Sequence, residues 1–420
     1  MAKNKRKDEN VVPHKSNKTL KNVLVSIFCL ALGILIGVFG SIFVSLPDSY
    51  KIPKKVQGSN SSSLDVSSGL IDESQIKASD VSIHFLELGN KFTGDCIYIK
   101  IGSYDILIDG GSKASSIPYI TSYIDKHMTD EKLDFVIITH AHEDHYAGYA
   151  VNETTESIFD HYRSNGKSVG TVITFAQTKK SSSNTMYRNF ERELREVVAS
   201  GAKHFTADDC YNNKTTDVGT AQKEYDLGLD SSGNQIKIQF LYQKYYSNEY
   251  KMDTSTENNY SVCFQIVQGS KKYLFTGDLE KEGEASLVES NKGELSQVEL
   301  YKAGHHGSKT SSSAKLMEVV CPKVVVVCCC AGSSEYTKKD ENQFPTQEFV
   351  NNVSIYTSKI YVTSLCIDYD ANQFESFNGT IVVCSKGNTA VSVQCSNNTT
   401  VLKDTEWFKK HRTLPDRAVA

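Results

Sequence analysis

Three histidines fall within six residues in Thr139-His140-Ala141-His142-Glu143-Asp144-His145, directly behind the apolar run Phe135-Val136-Ile137-Ile138. No other feature constrains the fold as tightly. A short apolar run of this kind reads as a buried strand, and the chain must bring a metal-competent turn to the point where that strand stops. Alternate side chains of an extended segment share a face, so His140 and His142 can reach one cation. Asp144 and His145 then offer an oxygen and a nitrogen donor a few residues on, where a second cation could sit. Two ions roughly 3.5–4 Å apart suit hydrolysis, because together they make hydroxide at neutral pH, polarise the scissile bond and hold the leaving oxygen. A polar surface turn with chance histidines is the competing reading. Three of the chain's eleven His in one strand-end turn weigh against it.

The chain has 420 residues, 39% of them hydrophobic and 23% charged, which excludes wholesale disorder, a collagen-like repeat and a polytopic membrane protein. Its net charge of −4 is uneven: residues 1–22 carry seven Lys/Arg against Asp8 and Glu9, so the remainder sums to −9. Tight, general binding of nucleic acid by the bulk of the protein is therefore not expected. Val23–Leu46 is a 24-residue stretch without a charged side chain, long enough at about 1.5 Å per residue to span a bilayer core. A cleavable signal peptide would have a shorter apolar region and small residues at its end, so a retained transmembrane anchor is the expectation. The lysines and arginine before it place the N-terminus in the cytoplasm and the remaining chain outside. The expected organisation is a basic cytoplasmic tail over 1–22, an anchor over 23–46, and a flexible Ser-rich stalk over 47–80. A folded hydrolase domain over 81–400 and a C-terminal tail over 401–420 follow.

Within the body, strand-like and helix-like segments alternate. Strands are expected at Val81–Leu88, Cys96–Ile101, Tyr104–Ile108, Ile236–Tyr242, Val262–Val267, Tyr273–Thr276, Val298–Tyr301, Val324–Cys330, Ile360–Thr363, Thr380–Val383 and Ala390–Val393. Met186, Phe190, Leu194 and Val197 recur at helical spacing before Gly201, and further helices are expected near Ile117–His127, Glu282–Val288, Ser312–Val319 and Thr346–Val353. So many strands with interspersed helices imply two packed sheets flanked by helices. Gln243–Asn258, with Tyr245, Tyr246 and Tyr250 but few aliphatic residues, reads as an exposed loop. There is no CxxC pair, and Cys328, Cys329 and Cys330 in one apolar strand are poor partners for one another, so no disulfide is assigned.

The spacing His140-x-His142-x-Asp144-His145 resembles the signature of the metallo-β-lactamase superfamily. The wider pattern is similar to the metallo-hydrolase domain of the competence protein ComEC. Its parts are Gly94-Asp95-Cys96, Leu107-Ile108-Asp109-Gly110-Gly111, Asn259-Tyr260-Ser261, Thr276-Gly277-Asp278, His305-His306-Gly307-Ser308 and Asn378-Gly379-Thr380-Ile381. The resemblance implies an α+β fold, a four-layer αββα sandwich with a metal site at one edge. It implies two divalent ions, Zn or Mn: His140 and His142 on the first, Asp144 and His145 on the second, Asp278 bridging, and one of His305 and His306 completing the second site. Asp109 would orient a ligand histidine or the attacking water, and Ser308 and Lys309 could meet an oxyanion. Asn259 stands where zinc-dependent β-lactamases have a third histidine. Its amide oxygen would be a harder and weaker donor, which argues for phosphoester rather than β-lactam chemistry. A late Pro-His pair common in relatives is absent, since Pro345 is followed by Thr346.

The leading functional expectation is a membrane-anchored, extracytoplasmic binuclear metallohydrolase. It would cleave a phosphodiester of nucleic acid or of the cell envelope. Lys179, Lys180, Arg188, Arg192 and Arg195 could form one basic face beside the tyrosine-rich loop, a place for bases to stack. A carboxylic ester or lactone hydrolase, or a non-catalytic DNA- or envelope-binding receptor, are the alternatives.

Overall fold

Short β-branched runs separated by amphipathic segments produce parallel strands, because a parallel neighbour needs a crossover long enough for a helix. The computed structural model describes residues 66–419. Its first sheet has nine strands. In spatial order they are Ser67–Leu70, Ser392–Cys395, Ile381–Ser385, Val81–Phe85, Ile97–Ile101, Tyr104–Ile108, Lys132–Ile138, Ser168–Thr174 and Lys203–Thr206. From Tyr104–Ile108 onward the pairing is parallel. The second sheet has eight strands in chain order: Glu224–Leu229, Gln235–Phe240, Phe264–Gln268, Lys271–Phe275, Leu300–Lys302, Val324–Ala331, Ile360–Asp368 and Gln373–Glu375. The four from Lys271–Phe275 to Ile360–Asp368 are parallel neighbours.

Side-chain alternation explains how the sheets stack. In Val324–Ala331, Val324, Val326 and Cys328 join the core that contains Ile97, Ile99 and Ile381 of the first sheet. Val325, Val327 and Cys329 face the other way, onto Leu287, Leu316, Met317, Phe349 and Val353 of three helices. Such a strand is buried on both faces and must be apolar throughout, which is why it carries no polar alternation. The helices Ile117–His127, Ile158–Ser164 and Thr185–Ala199 contribute Ile120, Ile124, Phe159, Phe190 and Val197 to the core of the first sheet. Asn184 caps the last of them through the Tyr187 N–H, as the sequence spacing predicts for a helix ending before Gly201. The layered architecture of sheets and helices expected of the fold is present.

Several boundaries differ from the sequence reading. Ser67–Leu70 adds as a parallel edge strand to Ser392–Cys395, and Ile76 packs with Val382 and Cys384, so residues 66–80 belong to the folded body and not to a stalk. An edge strand is held by backbone pairing and needs little apolar periodicity, so it left no pattern to read. The tail after residue 400 is also built in: Leu402 and Phe408, on the helix Glu406–His411, lie in the outer core. The expected basic tail, the expected anchor 23–46 and the stalk up to residue 65 lie outside the described residues. Among the described residues, no helix is long and apolar enough to cross a membrane. The loop reading of Gln243–Asn258 is corrected as well. Tyr245 and Tyr246 are buried, and the Tyr246 hydroxyl accepts the Cys263 N–H at 2.7 Å. A tyrosine buries a large apolar ring while its hydroxyl satisfies a backbone group, so a segment poor in aliphatics can still be core. Among the described residues the ten cysteines are free thiols, most of them buried.

Candidate metal centre

The C-terminal ends of parallel strands are where neighbouring loops diverge and leave a crevice. Here the turns after Tyr104–Ile108, Lys132–Ile138, Lys271–Phe275, Leu300–Lys302 and Val324–Ala331 meet at one such edge. The first brings Asp109, the second His140, His142, Asp144 and His145, the third Asp278, the fourth His305 and His306. His140 Nε2 and His142 Nδ1 face each other at 3.1 Å. A second group forms around Asp278 Oδ2, which lies 3.2 Å from His145 Nε2 and 3.3 Å from His306 Nε2. His306 Nε2 is also 3.3 Å from Asp144 Oδ2. Ligand atoms of Asp144, His145, Asp278 and His306 all lie within 4.8 Å of one another, a geometry that could hold a metal ion.

The outward nitrogens are fixed by partners behind them. Asp109, fully buried with a left-handed φ of 57°, accepts His145 Nδ1 at 2.8 Å and both the N–H and hydroxyl of Thr139 at 2.8 Å. That turns His145 Nε2 into the site. His306 Nδ1 donates to the Cys328 carbonyl at 2.9 Å, with the same effect on its Nε2. His305 and His306 take left-handed φ values of 47° and 53°. Of the pair, His306 is the one in the cluster. His305 keeps its Nε2 3.9 Å from Asp278 Oδ2 and binds Thr310 Oγ1 at 3.0 Å through Nδ1. Backbone must pass close by at two glycines. A Cβ on Gly94 would stand 2.8 Å from the Asp144 carbonyl, and one on Gly277, at φ 51°, 2.8 Å from Ser261 Oγ.

Three expected participants do not take their places. Asn259 Oδ1 accepts the Glu280 N–H at 3.1 Å and its Nδ2 donates to Thr254 Oγ1 at 3.0 Å, so its amide is spent on holding loops together. Its neighbour Asn258 instead has a buried Oδ1 without a hydrogen-bond partner, while its Nδ2 lies 3.4 Å from His305 Nδ1. A motif cannot tell which of two adjacent asparagines turns inward. Ser308 is buried against Thr310 Oγ1 at 3.1 Å, and Lys309 reaches away to Asn342 Oδ1 at 2.8 Å. Neither side chain meets the cluster. The expected basic face is also largely engaged: Arg192 donates to Glu193 and the Val151 carbonyl, Arg188 to the Ser182 carbonyl, and the Lys179 ammonium to the Thr254 carbonyl.

Sequence reasoning missed Asp95 and Lys302 as members of the site. The Lys302 ammonium is buried, forms an ion pair with Asp95 Oδ2, and lies 3.4 Å from Asp278 Oδ1. It thereby holds one oxygen of Asp278 and leaves Oδ2 alone to face the histidines. An isolated Lys two residues ahead of Gly304 carries no signal of burial in the sequence. Its recognition required the strand Leu300–Lys302 to be placed on both faces.

The charges of the site are set by their neighbours. Burial opposes ionisation of Asp278, yet His145, His306 and Lys302 hold its carboxyl well below the usual carboxylate range. Burial likewise disfavours the His145 imidazolium, but Asp278, Asp109 and Asp95 override it and push the group well above an ordinary histidine. At His140 burial and the neighbouring His145 outweigh the pull of Asp278 and Asp144 and hold the group well below an ordinary histidine. Asp95 Oδ1, His145 Nε2, Asp278 Oδ2 and His306 Nε2 are buried without a hydrogen-bond partner. Unpaired buried polar atoms are costly, and these converge on one another, where a bound cation would take the place of the imidazole protons. The mixed nitrogen and carboxylate donor set fits divalent ions such as Zn or Mn.

Comparison with known proteins agrees with this chemistry. The model of the metallo-beta-lactamase superfamily matches residues 89–150. Over 110 residues the chain is 37% identical to competence protein ComA of Neisseria gonorrhoeae, covering 26% of this chain and 15% of that protein. Over 72 residues it is 35% identical to ComE operon protein 3 of Bacillus subtilis (strain 168), covering 17% of this chain and 9% of that protein. The chain thus matches only a small part of the length of these relatives. Among solved structures, the metallo-beta-lactamase fold protein YhfI from Bacillus subtilis aligns over 67% of this chain and 96% of its own, at 13% identity and a TM-score of 0.38. Residues 89–150 therefore match the metallo-beta-lactamase superfamily, and the curated relatives that the chain resembles are competence proteins of the ComEC type.

Proposed function

We propose that the protein is a membrane-anchored, extracytoplasmic binuclear metallohydrolase that cleaves phosphodiesters, with nucleic acid as the leading substrate class and envelope phosphodiesters as the second. The observation that carries this reading is the convergence of His145 Nε2, His306 Nε2, Asp278 Oδ2 and Asp144 Oδ2 beside the His140–His142 pair. His140 and His142 would hold one ion, Asp144, His145 and His306 the other, and Asp278 Oδ2 would face both. Two divalent ions supply, when bound, a nucleophile at neutral pH and positive charge against the departing oxygen. The chain's own residues arrange the rest. Asp109 keeps His145 in the tautomer whose Nε2 lone pair points inward, and Lys302 holds the spare oxygen of Asp278. His305, pushed down to about 4 by burial, is neutral at neutral pH, and its Nε2 stands ready to contact a substrate oxygen. The names of the curated relatives, in competence and recombination, support nucleic acid. Among the described residues, few free cations line the site, although Lys180 lies within electrostatic reach of His142. That paucity favours transient contact with a polyanion over tight binding.

The test is turnover by the metal-loaded full chain. Bis-p-nitrophenyl phosphate should be hydrolysed, and p-nitrophenyl acetate and a lactone should not, with activity abolished by a chelator and restored by Mn²⁺ or Zn²⁺. Hydrolysis of the acetate or lactone with none of the phosphodiester would assign the protein to ester chemistry instead.

A further inference from the structure

Between Ala331 and Thr346 the chain crosses the mouth of the metal centre as a strap. Tyr336, in this strap, is the side chain that reaches the cluster: its hydroxyl donates to Asp144 Oδ2 at 2.9 Å. This is the same carboxylate oxygen that faces His306 Nε2 at 3.3 Å. The residue is 56% exposed, so its ring stands at the solvent boundary while its hydroxyl touches the centre. Phe344 backs the ring at a centroid distance of 5.7 Å, and also packs on His305 at 5.6 Å and His306 at 6.1 Å. The strap is tied on either side of Tyr336. Glu335 Oε2 accepts the Thr93 N–H at 2.8 Å, and Arg412, itself buried, donates to the carbonyls of Asp340 at 3.0 Å, Gln343 at 2.8 Å and Pro345 at 2.8 Å. A hydroxyl held this way is preorganised, and no loop has to be ordered before it can bind a ligand.

We propose that Tyr336 is a substrate-positioning residue: its hydroxyl, resting on Asp144 at the mouth, redirects its hydrogen bond to a non-bridging oxygen of an anionic substrate such as a phosphodiester. This rests on the metallohydrolase reading given above. A phenol is a neutral donor throughout the neutral range, and it supplies a hydrogen bond at the rim without adding a cation. The strap thus provides what the missing basic side chains do not, a fixed donor for a phosphate oxygen. No bond to the substrate forms or breaks at Tyr336. It binds the ground state and the transition state alike.

The experiment uses the full chain loaded with Mn²⁺ and the substitution Tyr336→Phe, which removes one hydroxyl from a half-exposed ring. Metal affinity is read by competition with a chelator, oxyanion binding by titration with inorganic phosphate, and turnover with bis-p-nitrophenyl phosphate. Metal affinity should move by less than about 3-fold, and phosphate should bind about 10-fold more weakly. KM should rise about 10-fold with kcat held within about 3-fold, the signature of a lost uniform binding contact. A second variant, Phe344→Leu, keeps the hydroxyl but unseats the ring and should weaken phosphate by roughly 3-fold. Unchanged phosphate affinity in both variants overturns the proposal. So does a loss of metal affinity of about 10-fold or more with normal phosphate binding to the loaded fraction, because Tyr336 would then only orient Asp144. If the parent turns over no phosphodiester, the phosphodiesterase reading fails on its own, and the phosphate affinities of parent and variants still decide the role of Tyr336. A loaded parent that binds no phosphate at all also overturns it.

Discussion

Asp109 makes three hydrogen bonds with one buried carboxylate, and each serves the neighbouring histidines. Thr139 is fixed through its backbone and its hydroxyl, which sets the start of the metal-binding turn, and His145 is fixed through Nδ1. An asparagine in its place has one acceptor oxygen fewer, and its amide group would confront an N–H. Asp109→Asn should therefore weaken metal binding about 10- to 100-fold, measured by chelator competition, with a smaller effect on folding. Unchanged affinity would show that the ring of His145 is held by packing alone. The sequence marked Asp109 because it sits in an ordered motif. It gave no hint that Asp95, in a motif of the same set, forms a buried ion pair with Lys302 beside it. The difference is physical: the Asp109 position is local to a strand end, whereas a buried lysine is recognised only by what surrounds it.

At the scale of elements, the helix Lys281–Ser290 anchors the segment that follows His306. Glu284, fully buried on that helix, accepts the N–H groups of Ser312 at 2.6 Å and Ser313 at 2.8 Å. Burial outweighs those bonds and raises its carboxyl from 4.5 to about 7. Because the folded value stands above the unfolded one, Glu284 contributes its full stabilisation below about pH 4.5 and loses it as the pH rises through 7. The parent should lose about 3 kcal/mol relative to Glu284→Gln between pH 4.5 and pH 8, read from urea unfolding at each pH. A difference between the two proteins that stays constant with pH would refute this assignment. The helix itself was legible from its spacing, and so were Ala314–Val320 and Gln347–Val353. The tyrosine-rich segment after Gln243 was not. Its apolar surface comes from aromatic rings with polar ends, which no aliphatic pattern reports.

For the whole molecule, the body begins at the edge strand Ser67–Leu70 and closes with the helix Glu406–His411, so both ends of the described chain are packed into it. In the proposed topology, protease added to intact cells should remove this body from the membrane fraction, detected with an antibody against its C-terminal segment. Protection until the cells are lysed would place it on the inner side and overturn the extracytoplasmic assignment. The same topology places ten cysteines in an oxidising compartment, yet most are buried at strand positions where a thiol acts as a small apolar group.

By itself the sequence determined that strands alternate with helices, that a histidine turn terminates a buried strand, and that Asp278 and His306 belong to the same family pattern as that turn. Those properties are local in the chain: periodicity, strand ends and short motifs carry them. Only the tertiary structure chose His306 over His305, turned Asn258 inward and Asn259 aside, set Lys302 against Asp95 and Asp278, and laid Tyr336 over Asp144. Each of those choices depends on which atoms remain unpaired once distant segments are packed together, and a buried polar group acquires its role from its neighbours in space.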